Sequence, residues 1–143
     1  MAEPKPSIRL LIADDHQLMR QGIRALLAVA DDIEVVGEAC DGIETVDMAL
    51  ALQPDVILMD IQMPRLDGLG ATRQLVAAGS AARVLMLTMR ADEEAARQAA
   101  QAGAWGYQIK NSDRNELIAA IRSVHQGIRI ASPAVAEPFS EVT

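Results

Sequence analysis

Apolar and polar positions along this chain fall into short blocks with alternating periods. Ile8-Arg9-Leu10-Leu11-Ile12-Ala13 is too short for a helix and reads as a buried strand, which delivers Asp14 and Asp15 at its end. Leu18, Met19, Gly22, Ile23, Leu26 and Leu27 then recur at helical spacing to about Val29, leaving Arg20, Gln21 and Arg24 on the solvent side. Residues Ile33 to Ala39 predict a second strand, at an edge of the sheet. Asp41 with Glu44 three residues on is a capping signature, and Ile43, Val46, Met48, Ala49 and Leu52 carry a second helix to Gln53-Pro54. The run from Asp55 to Asp60 is a third strand, apolar on both faces, closed by the breakers Met63-Pro64 and Asp67-Gly68.

Leu69, Thr72, Leu75 and Val76 mark the inward face of a third helix that stops at Gly79-Ser80, and Ala82 to Thr88 is a fourth strand, apolar until its last residue. Asp92 caps a fourth helix, Glu93 to Gln101, whose core face is alanine at 95, 96, 99 and 100; so little apolar area predicts weak attachment. Gly103 to Lys110 is a fifth strand ending in a lysine. Asp113 with Glu116 opens a fifth helix through Leu117, Ile118, Ile121 and Val124, which Gly127 ends. Ser132-Pro133 predicts the start of a further helix. Five strands alternating with five helices imply a doubly wound parallel α/β sandwich with right-handed crossovers.

Composition narrows the function. The chain has 143 residues, enough for one domain, with a single Trp, Tyr and Phe, so the core rests on aliphatic side chains, Ala and Met. A formal charge of -7 argues against broad nucleic-acid binding by this chain alone. Cys40, the single cysteine, offers neither a disulfide framework nor a thiolate metal cluster, and is read as a small buried hydrophobe. No apolar run suits a membrane span and residues 1–6 lack a signal-peptide core; a cytoplasmic setting is expected.

The strand ends carry the chemistry. Asp14 and Asp15 follow strand one, Asp60 strand three, Thr88 strand four and Lys110 strand five, all along one edge of one sheet, where open parallel sheets bind ligands. Taken singly, these are ordinary capping aspartates, a β-forming threonine and a solvated lysine; their joint placement is what gives them meaning. Three carboxylates about 5 Å apart repel by roughly 3 kcal/mol per pair at an effective dielectric near 20, so the group invites a cation. An oxygen-only donor set without His or Cys suits Mg²⁺ or Mn²⁺ rather than zinc.

Asp14-Asp15, Asp60 with Met63-Pro64 and Asp67-Gly68, Thr88, and Gly106-Tyr107-Gln108-Ile109-Lys110 together resemble the receiver domain of bacterial two-component response regulators over residues 7–127. Asp14-Asp15-His16, Asn111 after Lys110 and the Ile118, Ile121, Arg122 pattern are most similar to the NarL-type branch. The resemblance implies the flavodoxin-like (βα)5 fold with strand order 2-1-3-4-5. It implies that Asp60 accepts a phosphoryl group from a sensor histidine kinase or a small donor. Asp14, Asp15, Asp60 and the Gln62 backbone carbonyl would hold Mg²⁺ or Mn²⁺, and Lys110 and Thr88 would contact phosphoryl oxygens. Thr88 and Tyr107 would be switch residues, and Gln62 and Arg90 would flank the site and tune the lifetime of the acyl phosphate. Such a protein is a signalling switch rather than an enzyme, assisting only its own phosphorylation and dephosphorylation.

The implied output is a reshaped face of helix four, strand five and helix five that forms a homodimer or docks a partner. It would regulate transcription through a DNA-binding domain absent here. Residues 1–6 are expected to be a disordered lead, and 128–143, too short for a helix-turn-helix and with Arg129 their only base, a tail or the start of a linker to that domain. Rival readings fare worse. A haloacid-dehalogenase-type phosphatase needs an acid where Gln62 stands, and a flavodoxin-like nucleotide binder needs a glycine- and hydroxyl-rich loop where Asp14-Asp15 stand. The serious alternative is a degenerate receiver that binds proteins constitutively. Trp105 is either part of a partner surface or packed on a neighbouring element, and His16 is read as an exposed first-turn residue.

Overall fold

The computed structural model describes residues 7–89, 92–110 and 113–131. Strand β1 (Ile8–Ala13) is followed by α1 (Gln17–Leu27), β2 (Ile33–Ala39), α2 (Gly42–Leu52), β3 (Val56–Met59), α3 (Gly68–Ala77), β4 (Arg83–Thr88), α4 (Glu93–Ala102), β5 (Gly106–Ile109), α5 (Arg114–His125) and β6 (Ile130–Ala131). The sheet is parallel with order β2-β1-β3-β4-β5-β6. The flavodoxin-like receiver fold and its order 2-1-3-4-5 are therefore present, with one strand more than the sequence foretold.

Side chains of successive strand residues point to opposite faces, so each apolar strand feeds two cores. Leu11, Ala13, Ile57, Met59, Val84, Met86 and Tyr107 face α2, α3 and α4, where they meet Ala49, Leu75 and Ala99. Leu10, Ile12, Val56, Leu58, Leu85 and Leu87 face α1 and α5, where they meet Ile23, Leu27, Leu117, Ile121 and Val124. Capping follows the aspartates: Asp41, Asp67 and Asp113 accept from the backbone N–H groups of Glu44, Gly70 and Glu116, and Asp92 from those of Glu94 and Ala95. Gln53, in the left-handed region at φ 51°, ends α2, and Gly103 at φ 110° ends α4 rather than opening β5.

Several expectations are corrected. Leu18 and Val76, assigned to inward faces, are 82% and 57% exposed; each lies on the flank of its apolar stripe, and the helix is rotated to bury the other flank. On α3 that other flank is Leu69, Ala71, Thr72 and Leu75. Arg20, assigned to solvent, is half-buried and tied to Asp14 and Glu38. Cys40 is exposed. β6 pairs Ile130 with Gly106 and Ala131 with Tyr107. At Gly106 a Cβ would lie 2.7 Å from Leu85 Cδ1 and 3.0 Å from Ile130 Cγ1, so β6 sits as close as it does because that position has no side chain. Trp105 packs within the fold, its ring covered by the guanidinium groups of Arg83 at 4.8 Å and Arg129 at 4.2 Å. The helix expected from Ser132 lies outside the described residues.

Candidate functional site

Backbone hydrogen bonds running past the strand ends fix the site's frame. Asp14 N donates to Ala39 O at 3.0 Å, Asp60 N to Ala13 O at 2.9 Å and Lys110 N to Thr88 O at 2.6 Å, so the residues after β1, β3 and β5 continue the sheet's ladder. The loop below Asp60 is pinned by Gly68, whose N–H donates to Ile61 O at 2.7 Å; a Cβ there would lie 2.2 Å from Asp60 O. The sequence pair Asp67-Gly68 thus serves twice, as the cap of α3 and as the close approach that seats Asp60.

On that frame the side chains converge. Lys110 Nζ lies 2.7 Å from Asp14 Oδ2 and 3.2 Å from Asp60 Oδ2, and all three side chains are at least nine-tenths buried. Asp15 is more open and meets His16 Nδ1 at 3.0 Å; His16 Nδ1 also lies 3.3 Å from Asp14 Oδ1. One ligand atom from each of Asp14, Asp15, His16 and Asp60 fits within a 4.8 Å spread. His16 is exposed and beside the site, as expected, and its imidazole adds a nitrogen donor that the oxygen-only set omitted. The missed signal was its position next to Asp15, at the N-cap of α1.

Electrostatics follow from this crowding. Burial pushes the Asp60 carboxyl above the ordinary range; Lys110 opposes it, Asp14 adds to it, and the result is a raised pKa. For Lys110, burial pulls downward, but the hydrogen bonds and charges of Asp14 and Asp60 outweigh it and the ammonium is held above its usual value. One ammonium cannot neutralise three carboxylates. The excess of two negative charges and the hard oxygens fit a divalent cation, and this acidic pocket can hold a metal ion. Two ligands on one Mg²⁺ lie at most about 4.2 Å apart, so the observed spread suits an ion that keeps some of its waters.

Next to Asp60 lies a pocket of about 190 Å³, whose walls include Gln62, Thr88, Met89, Tyr107 and Lys110. Thr88 is half-buried, and Tyr107 is 1% exposed with its ring inside the fold. The residues expected at Asp14, Asp15, Asp60, Gln62, Thr88, Tyr107 and Lys110 are therefore gathered at one edge; Arg90 and Asn111 lie outside the described residues. Among the described residues, no helix is long and apolar enough to cross a membrane.

Comparison with known proteins agrees with this geometry. Residues 10–122 match the family described as the response regulator receiver domain. The chain is 42% identical over 133 residues to the response regulator GacA of Pseudomonas viridiflava, an alignment covering 93% of this chain and 62% of GacA. It is 42% identical over 120 residues to the transcriptional regulatory protein LiaR of Bacillus subtilis (strain 168), covering 84% of this chain and 57% of LiaR. It therefore spans about three fifths of the length of these relatives. Among solved structures, a LuxR-family two-component response regulator from Aurantimonas sp. SI85-9A1 superposes with a TM-score of 0.87 at 36% identity, covering 94% of this chain and 96% of that one.

Proposed function

We propose, from the premise that this chain belongs to the response regulator receiver family, that it accepts a phosphoryl group on Asp60 from a sensor histidine kinase. The observation that carries the reading is Lys110 bridging Asp14 and Asp60 beside an open pocket. A carboxylate oxygen of Asp60 attacks phosphorus in line, the P–N bond of the donor phosphohistidine breaks as the new P–O bond forms, and the imidazole leaves with its electron pair.

Asp14 and Asp15, with Asp60 and the Gln62 backbone carbonyl, would hold Mg²⁺ or Mn²⁺. The ion would neutralise phosphoryl charge as it builds up. Lys110 is placed to move from its carboxylate partners to a phosphoryl oxygen, supplying a fixed positive charge where negative charge develops. The Thr88 hydroxyl donates to a second oxygen. Thr88 and Tyr107 share one pocket wall, so displacement of the threonine is felt by the ring. Through β5 and the alanine-faced α4 it reaches the α4, β5 and α5 face, which we assign to homodimerisation or to docking of an output segment. Transcriptional output would belong to that segment, by analogy with LiaR, a transcriptional regulatory protein. Gln62 and Arg90 would set how quickly the acyl phosphate hydrolyses.

The test is incubation of the full chain with Mg²⁺ and a small phosphodonor such as phosphoramidate, read by intact mass and by light scattering. We expect one phosphate per chain, none after chelation of Mg²⁺, none in Asp60→Asn, and a linked change in oligomer size. Phosphate retained by Asp60→Asn would overturn the assignment; an unlabelled wild-type chain would favour a constitutive interaction module.

A further inference from the structure

We propose that Arg20 is a positioning residue for the divalent-cation site, through a two-point brace between the Asp14 backbone carbonyl and Glu38. The inference rests on the reading of Asp14 and Asp15 as cation ligands. Arg20 leaves α1 with its side chain only 14% exposed, donates from Nη1 to Asp14 O at 2.5 Å and from Nε to Glu38 Oε1 at 2.9 Å. Glu38 in turn is fixed from two sides. It lies on β2 opposite Ile12 of β1, and its second oxygen accepts from Arg24 Nε.

The geometry distinguishes the two acids. The Asp14 carboxylate has its own anchors, accepting from the His16 backbone N–H at 2.8 Å and from Lys110 Nζ at 2.7 Å. Asp15 is more exposed, and its direction follows from the plane of the peptide joining Asp14 to Asp15. The carbonyl of that peptide is the group Arg20 holds. Groups that orient a metal's ligands without touching the metal typically change affinity 10- to 100-fold when removed. The planar guanidinium suits this task because two of its donors span two acceptors at once, which a lysine ammonium on a flexible stem does less rigidly.

Charge and positioning predict opposite signs, which makes the proposal decidable. If Arg20 acted only as a nearby positive charge, its removal would tighten cation binding. If it positions the Asp14-Asp15 peptide, removal weakens binding although a repelling charge is gone. Arg24 is the internal control: it shares Glu38 and the charge, but does not reach the Asp14 carbonyl.

The experiment is titration of the full chain with Mn²⁺, free ion being counted by electron paramagnetic resonance, for wild type, Arg20→Ala, Arg20→Lys and Arg24→Ala, with circular dichroism to confirm folding. We expect the dissociation constant to rise about 10-fold or more in Arg20→Ala, to rise in Arg20→Lys although charge is kept, and to stay level or fall in Arg24→Ala. If Arg20→Ala does not fold, Arg20→Lys carries the comparison. Mn²⁺ affinity unchanged or tightened in the folded Arg20 variants, or equally weakened in Arg24→Ala, would overturn the brace. A wild-type chain that binds no Mn²⁺ would instead overturn the cation site itself.

Discussion

Asp60 is the side chain whose surroundings most resist its charge. Burial and Asp14 together outweigh the pull of Lys110, so the folded protein holds its carboxyl pKa above the ordinary 3.8 and the ionised form weakens the fold. Stability is therefore expected to fall as pH rises from 3.8 through the raised value, and Asp60→Asn should gain on the order of 1 kcal/mol at neutral pH without added cation, measured by urea unfolding. Glu38 carries the opposite sign. Burial pushes its carboxyl upward, but hydrogen bonds from Arg24 and Arg20 win and the folded value lies below 4.5. Its contribution is complete above pH 4.5 and is lost as pH falls through the lowered value. Glu38→Gln should therefore be less stable than wild type at pH 7, with the gap closing in acid; a gap that widens there would contradict the pairing. Removing Lys110 acts on Asp14 and Asp60 together. Lys110→Met should cost about 3 kcal/mol in chelator, because it leaves carboxylates buried without a partner, and Mg²⁺ should restore part of that loss.

The elements differ in how firmly they are attached, and the difference lies where a switch needs it. α5 buries Leu117, Ile118, Ile121 and Val124, whereas α4 buries only alanines. At about 25 cal/mol per Å² of apolar area, α4 gains far less from docking, although Asp92 and Gly103 cap both its ends and keep the helix itself intact. Under the proposed phosphorylation it would shift as a unit rather than melt, because a phosphoryl contact at Thr88 would have only a small docking energy to overcome. Hydrogen exchange followed by mass spectrometry should show α4 amides opening at lower free energy than those of α5; equal protection would remove the physical basis for α4 as the moving part. The start of α3 has the opposite character. With a Cβ only 2.2 Å from Asp60 O, Gly68→Ala must push the Asp60 loop or α3 aside, at a cost of about 1–3 kcal/mol, and phosphate uptake should fall with it.

Across the whole molecule, what the chain disclosed was whatever depends on local period: five strands, five helices, the aspartate caps at Asp41, Asp92 and Asp113, and the polar residue that ends each strand lining the site. Asp67, read as a loop breaker, caps α3 as well. Contacts between distant segments stayed hidden. A long cation on a helix reads as solvated unless its acceptors are known, and those of Arg20 lie on a loop and on another strand. Leu18 and Val76 show that periodicity locates an apolar stripe but not which flank the sheet covers. Ile130-Ala131 is too short to show any period, yet it adds a strand, because Gly106 opens the space and Arg129 clamps Trp105 from outside. That clamp yields a prediction on the scale of the sheet. Ending the chain at Gly127 removes the Ile130 N–H donation to Trp105 O, the half-burial of Ile130 and one of the two cations over the indole, together about 2 kcal/mol. Trp105 is the only tryptophan, so its emission reads the loss directly. The shortened chain should unfold at lower urea with red-shifted emission in the native baseline, and Arg129→Ala in the full chain should reproduce part of both changes. Identical emission and midpoint in all three proteins would mean that β6 does not hold the edge of β5.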